Sequence, residues 1–140
     1  MEQGKMGKTG MTVVFTNGCF DILHRGHVEY LEQSRALGDK LVVGINSDDS
    51  VRQLKPGRPI NKQEDRKAVL EALRCVDEVI IFNELRPLEL IKKVRPDIIT
   101  KGGDYTVDRV SGNGIAKVVI IPFLNGYSST GIINAINRVC

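Results

Sequence analysis

Five short runs rich in Val and Ile, at 12–15, 40–45, 78–82, 97–100 and 117–121, recur along the chain with helix-patterned segments between them. Strands this apolar on both faces need cover on both faces, and connections long enough to hold a helix join neighbouring strands in parallel rather than as hairpins. The alternation therefore predicts an α/β fold: a Rossmann-like, doubly wound, mostly parallel five-stranded sheet with helices on both faces. At 140 residues and 41% hydrophobic content the chain can bury one core, so a single domain over 11–140 is expected. The polar, glycine-rich opening MEQGKMGKTG, residues 1–10, reads as a loose extension.

The helical segments carry their own punctuation. One spans 28–37 and stops at Gly38, a natural helix end. A second, 65–76, aligns Ala68, Val69, Ala72, Leu73 and Val76 in one stripe, with Arg66, Lys67, Glu71 and Arg74 mostly on the other face. Pro87 suits the first turn of a third helix ending at Val94. Ser129 or Thr130 opens the last, which runs through Ile132, Ile133 and Ile136.

In such sheets the loops after the strands' carboxyl ends meet where strand order reverses. Thr16-Asn17-Gly18 follows the first strand, Asn46-Ser47-Asp48 the second and Lys101-Gly102-Gly103-Asp104 the fourth. The first loop is the most informative. In TNGCFDILHRGH both of the chain's histidines, His24 and His27, flank Gly26 at the start of a helix. A turn at Asn17-Gly18 admits an anion close to backbone N–H groups, the helix adds free amides and its positive dipole end, and the imidazoles add donors. That combination suits a nucleotide triphosphate. Ser128-Ser129-Thr130, at the start of the last helix, offers a second anion cradle, with helix capping alone as the simpler account.

Other classes fit less well. A closed zinc site needs ligands beyond two histidines, and Cys19, Cys75 and Cys140 are far apart in sequence, so no metal site is expected. One histidine as a helix cap with the other against the core is the bland alternative. Twenty Lys and Arg against 17 Asp and Glu leave a dispersed charge of +3, aromatics are 5% and Trp is absent, so no nucleic-acid partner is expected. An odd number of cysteines without a CxxC pair fits a reducing cytoplasm, and no apolar run reaches membrane-spanning length. Gly7-Lys8-Thr9 mimics the end of a phosphate loop, but Glu2 stands where that motif needs glycine.

The H-x-G-H turn of His24, Arg25, Gly26 and His27 resembles the mark of the cytidylyltransferase-like nucleotidyltransferases. FTNGCFDILHRGHVEYLEQSRALGD, VGINSDDSVRQLK, RPIN, KGGDY and GYSST resemble, in order, the heptose-1-phosphate adenylyltransferases, the nucleotidyltransferase part of ADP-heptose synthases. The resemblance runs from Met11 to the C-terminus and makes 11–140 a nucleotidyltransferase domain. It corresponds to the single-activity form or to a domain without the sugar kinase that precedes it in bifunctional members. It implies transfer of AMP from ATP to D-glycero-D-manno-heptose 1-phosphate, with Mg²⁺ held mainly by the nucleotide phosphates, small-molecule substrates and a homodimer. An apolar face on the 65–76 helix is one candidate for the dimer contact.

The resemblance also implies roles. His24 and His27 would hydrogen-bond the triphosphate, with their charge state open, and Lys55, in the loop after the second strand, would reach the phosphates. Phe15, Thr16, Gly18, Cys19 and Phe20 would form the first nucleotide-binding segment, with the Thr16 hydroxyl beside the phosphates. Asn46 and Asp48 would join it. Lys101, Gly102 and Asp104 would wall the base or sugar, and Ser128, Ser129 and Thr130 would border the phosphates. Asp21 would either face the acceptor or shape the backbone of the histidine turn, the second being preferred. Two departures matter: Phe123 stands where glycerol-phosphate cytidylyltransferases usually have arginine, which favours ATP over CTP, and the 111–116 segment is shorter than in many heptose enzymes. Glycerol-3-phosphate cytidylyl transfer and a non-catalytic nucleotide sensor are the alternatives.

Overall fold

The computed structural model describes residues 10–103, 106–122 and 126–139. Its sheet is built from β1 (Val13–Gly18), β2 (Lys40–Asn46), β3 (Glu78–Phe82), β4 (Ile98–Gly102) and β5 (Lys117–Ile121). All pairings are parallel and the order is β3-β2-β1-β4-β5, so the reversal falls between β1 and β4. Because side chains alternate along a strand, Val14, Leu41, Val43, Ile45 and Val79 face one way, against Leu31 of helix α1 (Arg25–Arg35) and Leu70 of helix α3 (Gln63–Glu71). Phe15, Val42 and Ile99 face the other way, against Ile91 of helix α4 (Leu88–Val94) and Val110.

The starting ends of β1 and β2 are closed by carboxylates. Asp39 accepts from the N–H of Thr12, Asp97 from that of Val13 and Asp77 from that of Leu41, at 2.7–2.8 Å. This satisfies backbone donors at one end of the sheet and leaves the other for a site. On the α4 face the β4–β5 connection lies directly on the sheet. At Gly112 (φ +91°) a Cβ would stand 2.3 Å from Cδ1 of Ile99, so only glycine fits this approach.

Three expectations need correction. β1 does not turn at Asn17-Gly18 but stays paired with β2 through Gly18, and the chain bends at Phe20, which takes a left-handed conformation (φ 50°). Residues after β2 form an unexpected helix, α2 (Asp48–Leu54), capped by Ser47, whose Oγ accepts from the Ser50 N–H at 3.2 Å. It is too short for hydrophobic periodicity to reveal. Finally, α3 ends at Glu71, not Val76, and is rotated from its expected setting: Arg66 and Leu70 point inward, whereas Ala68, Val69 and Ala72 are exposed. Hydrogen bonds made by Arg66, described below, outweigh the apolar stripe. The last helix, α5 (Ser129–Val139), lies half-exposed with Ile136 open to solvent.

Candidate active site

Two imidazoles do at the head of α1 what serine and glutamate commonly do in a capping box. His24 is the N-cap, and its Nδ1 accepts from the Gly26 N–H at 3.0 Å; Nδ1 of His27, three residues on, accepts from the His24 N–H at 3.3 Å. The rings stack with centroids 4.0 Å apart and planes at 29°. A Cβ on Gly26 would lie 2.8 Å from Cε1 of His24, which is why glycine sits between them.

This arrangement fixes the tautomer. A ring nitrogen that accepts from a backbone N–H holds no proton, so each neutral ring carries its single proton on Nε2. Burial pushes His27 down to about 4, with His24 and Lys55 adding to the effect, and burial also lowers His24. At pH 7 the free protein therefore holds two neutral Nε2–H donors rather than two cations.

A cavity of about 720 Å³ opens at the carboxyl ends of β1 and β4. It brings together His24, His27 and Lys55, the backbone segment Gly18, Cys19 and Phe20, Lys101 and Gly102 from the end of β4, and Ser128, Ser129 and Thr130 at the head of α5. Lys55 reaches it from the C-cap of α2. Burial lowers the Lys101 ammonium from its ordinary value, Cys19 opposes this and Lys55 adds to it. The Ser128 Oγ accepts from the Gly131 N–H at 2.9 Å, while Ser129 donates to the Ile22 carbonyl at 2.7 Å. Capping and membership of the cavity wall thus coexist in this segment.

Four expected residues lie behind the wall. Phe15 is wholly buried in the α4-side core. Thr16 is equally buried, and its hydroxyl pairs with the Tyr30 hydroxyl (2.5 Å) and donates to the Thr100 carbonyl (3.1 Å), so it does not face phosphate. Asn46 donates to Ser50 Oγ at 2.8 Å, and Asp48 accepts from Gln63 and Arg66. All four support the lining from beneath. Asp104 and Phe123 lie outside the described residues.

Three contributors escaped the sequence reading. Asp21 is structural as preferred, but the backbone it shapes is the 58–61 segment. Its carboxylate accepts from the N–H groups of Ile60 and Asn61 (both 2.8 Å) and from Nε of Arg58 (2.6 Å). Burial alone would raise the Asp21 carboxyl, yet these partners hold it below the usual range. Arg58 is thereby fixed in the cavity wall. Arg66, expected on a solvated face, has a fully buried side chain. It donates to the carbonyls of Cys19 (2.8 Å), Asn46 (2.8 Å) and Asn61 (3.0 Å) and to Oδ1 of Asp48 (2.9 Å). Nothing in helical periodicity signals such a role. Tyr127, within the GYSST segment, lines the cavity beside His24.

Residues 15–135 match the profile of the cytidylyltransferase-like family, and the chain belongs to that family. It is a nucleotidyltransferase domain. Among its relatives is the bifunctional protein HldE of Campylobacter fetus, 52% identical over 134 residues that make up 94% of this chain and 29% of that protein. HldE of Campylobacter concisus is 58% identical over 126 residues, 89% of this chain and 27% of that one. The chain thus spans less than a third of the length of these curated relatives. Among solved structures, a lipopolysaccharide core biosynthesis protein from Thermoplasma volcanium superposes with a TM-score of 0.68 at 35% identity, covering 85% of this chain and all of that one. Pantothenate synthetase from Thermus thermophilus, at 20% identity and a TM-score of 0.57 over 81% of this chain and 56% of that one, shares the fold.

Proposed function

We propose that this domain transfers AMP from ATP to a sugar phosphate, D-glycero-D-manno-heptose 1-phosphate, releasing pyrophosphate. The observation that carries the reading is the pair of tautomer-locked histidines in one cavity with Lys55, Arg58 and the head of α5. The five ordered motif segments favour heptose and ATP, and the 35% identity to a lipopolysaccharide core biosynthesis protein agrees with that setting.

An oxygen of the acceptor phosphate attacks the α-phosphorus, the bond from that phosphorus to the bridging oxygen breaks, and its electrons leave with pyrophosphate. The acceptor is already an anionic nucleophile, so no covalent enzyme intermediate is needed. The protein's task is alignment and stabilisation of charge growing on the leaving group. Neutral Nε2–H donors serve this without a proton transfer. Among the described residues the carboxylates lining the cavity are engaged, Asp21 by Arg58 and Glu29 by Arg25, and no cluster of three or more acidic, His or Cys side chains could hold a metal. In this reading Mg²⁺ would be held mainly by the triphosphate oxygens, where it would neutralise charge. We further infer a cytoplasmic homodimer with small-molecule substrates. The exposed Ala68 and Val69 of α3, with Ala72 at its C-cap, support the dimer.

The test is pyrophosphate release with ATP or CTP, Mg²⁺ and either heptose 1-phosphate or glycerol 3-phosphate. Turnover with ATP and the heptose is expected; turnover only with CTP and glycerol 3-phosphate, or none with any pair, overturns the reading.

A further inference from the structure

The histidine rings continue into a longer ladder. Beyond the His24–His27 stack, the Phe20 ring stands 5.3 Å from His27, and the Tyr127 ring stands 6.2 Å from His24 with planes at 25°. Tyr127 comes from the opposite wall, two residues before α5, and the residue is 44% exposed, so core packing does not explain its position. It also approaches the glycine between the histidines: a Cβ on Gly26 would lie 3.1 Å from Cβ of Tyr127.

These contacts join two elements that each present donors to the cavity. His24 is fixed by one hydrogen bond at Nδ1, about which the ring could still swing. The head of α5 is tied to the loop before α1 by the Ser129 to Ile22 hydrogen bond. We propose that Tyr127 is a positioning residue: its ring holds the His24 imidazole in plane and keeps the α5 cradle at a fixed distance from the histidine turn before nucleotide arrives. Near-parallel rings within about 7 Å attract beyond simple burial, and fixing two donor sets in advance lowers the ordering cost of binding. The inference rests on the adenylyl-transfer reading for its purpose but not for its geometry.

The test uses the whole chain with Tyr127→Ala and Tyr127→Phe. The His24 Cε1–H resonance is followed from pH 4.5 to 8, and the affinity of a non-hydrolysable ATP analogue is measured by calorimetry. In Tyr127→Ala the His24 midpoint moves up toward the solvent value as the ring is uncovered, and analogue affinity falls about 3- to 10-fold. Tyr127→Phe, which keeps the ring, recovers most of both. A folded Tyr127→Ala protein, checked by urea unfolding, with unchanged His24 titration and unchanged affinity overturns the proposal. Neither readout involves an acceptor, so failure of the sugar-phosphate assignment leaves this test standing.

Discussion

Replacing Arg66 by methionine tests how the site is held together. The methionine fills much of the volume but provides no donor, leaving three backbone carbonyls and one carboxylate oxygen without the guanidinium they now share. Taken singly, bonds to a charged donor are worth roughly 1.5–3 kcal/mol each, which over four would give about 6–12 kcal/mol. Releasing a buried guanidinium from its desolvation cost returns part of that, and breaking a buried ion pair typically costs about 3–5 kcal/mol net. We expect a loss of about 4 kcal/mol, corresponding to a fall in Tm of roughly 10–15 °C for a chain of this size. Arg66→Lys keeps the charge but not the planar fork, and should lose about half as much. Equilibrium urea unfolding at constant pH, with a thermal melt beside it, measures both. An arginine on a solvated helix face would change stability by no more than about 0.5 kcal/mol. A loss below about 1 kcal/mol for Arg66→Met, or a lysine variant equal to wild type, refutes the hub.

Protonation of His27 is predicted to oppose folding, because its value is about 4 in the folded protein and near 6.5 when unfolded. As pH falls the unfolded chain takes up this proton first, so the stability linked to this group is complete above about 6.5 and is lost between there and about 4. Urea midpoints at pH 7.5 and 5.0 should therefore fall further for wild type than for His27→Asn; an equal fall in both rejects the assignment. At Gly112, substitution by alanine combines a left-handed φ of +91° with a Cβ 2.3 Å from Ile99. It should cost roughly 2–4 kcal/mol in urea, whereas a cost under 1 kcal/mol would mean that the connection does not lie against the sheet as described.

What could be read from residues alone was whatever leaves a periodic or compositional trace. The five strands announce themselves because parallel strands buried on both faces must be continuous Val and Ile runs, and the site's location follows from where the intervening loops must converge. Paired histidines about a glycine pointed to the family for a related reason: both of the chain's imidazoles stand at one helix start. Arg66 was hidden because periodicity assigns every arginine to solvent, although a guanidinium can be buried wherever carbonyls from several loops surround it. The same assumption sets the expected α3 with Val69 inward, whereas Val69 is exposed and Arg66 is buried. Thr16 shows the reverse case. Its motif position was read as contact with phosphate, whereas its hydroxyl closes a buried network with Tyr30, Ser34 and Thr100 that braces α1 against β1 and β4.

Each histidine caps the helix through Nδ1, and in the proposed reaction Nε2–H would serve the phosphates, so a single substitution can separate those duties. Asparagine is as good an N-cap as any residue, since its side-chain oxygen can accept the Gly26 N–H that Nδ1 of His24 now accepts. Its side chain ends too soon to put a donor where Nε2–H stands. His24→Asn should therefore keep its stability within about 0.5 kcal/mol of wild type, while His24→Ala loses the cap as well, about 1 kcal/mol. Both should lose turnover by about 10²- to 10³-fold, the cost of removing one preorganised donor to developing charge. Affinity for the ATP analogue should fall much less, because the donor's value is greatest when the leaving pyrophosphate gains charge. Steady-state rates, calorimetry and urea unfolding on the two variants decide the matter. If asparagine restores the rate along with the fold, the imidazole acts only as a cap, and the chemistry must be carried by the lysines and the head of α5.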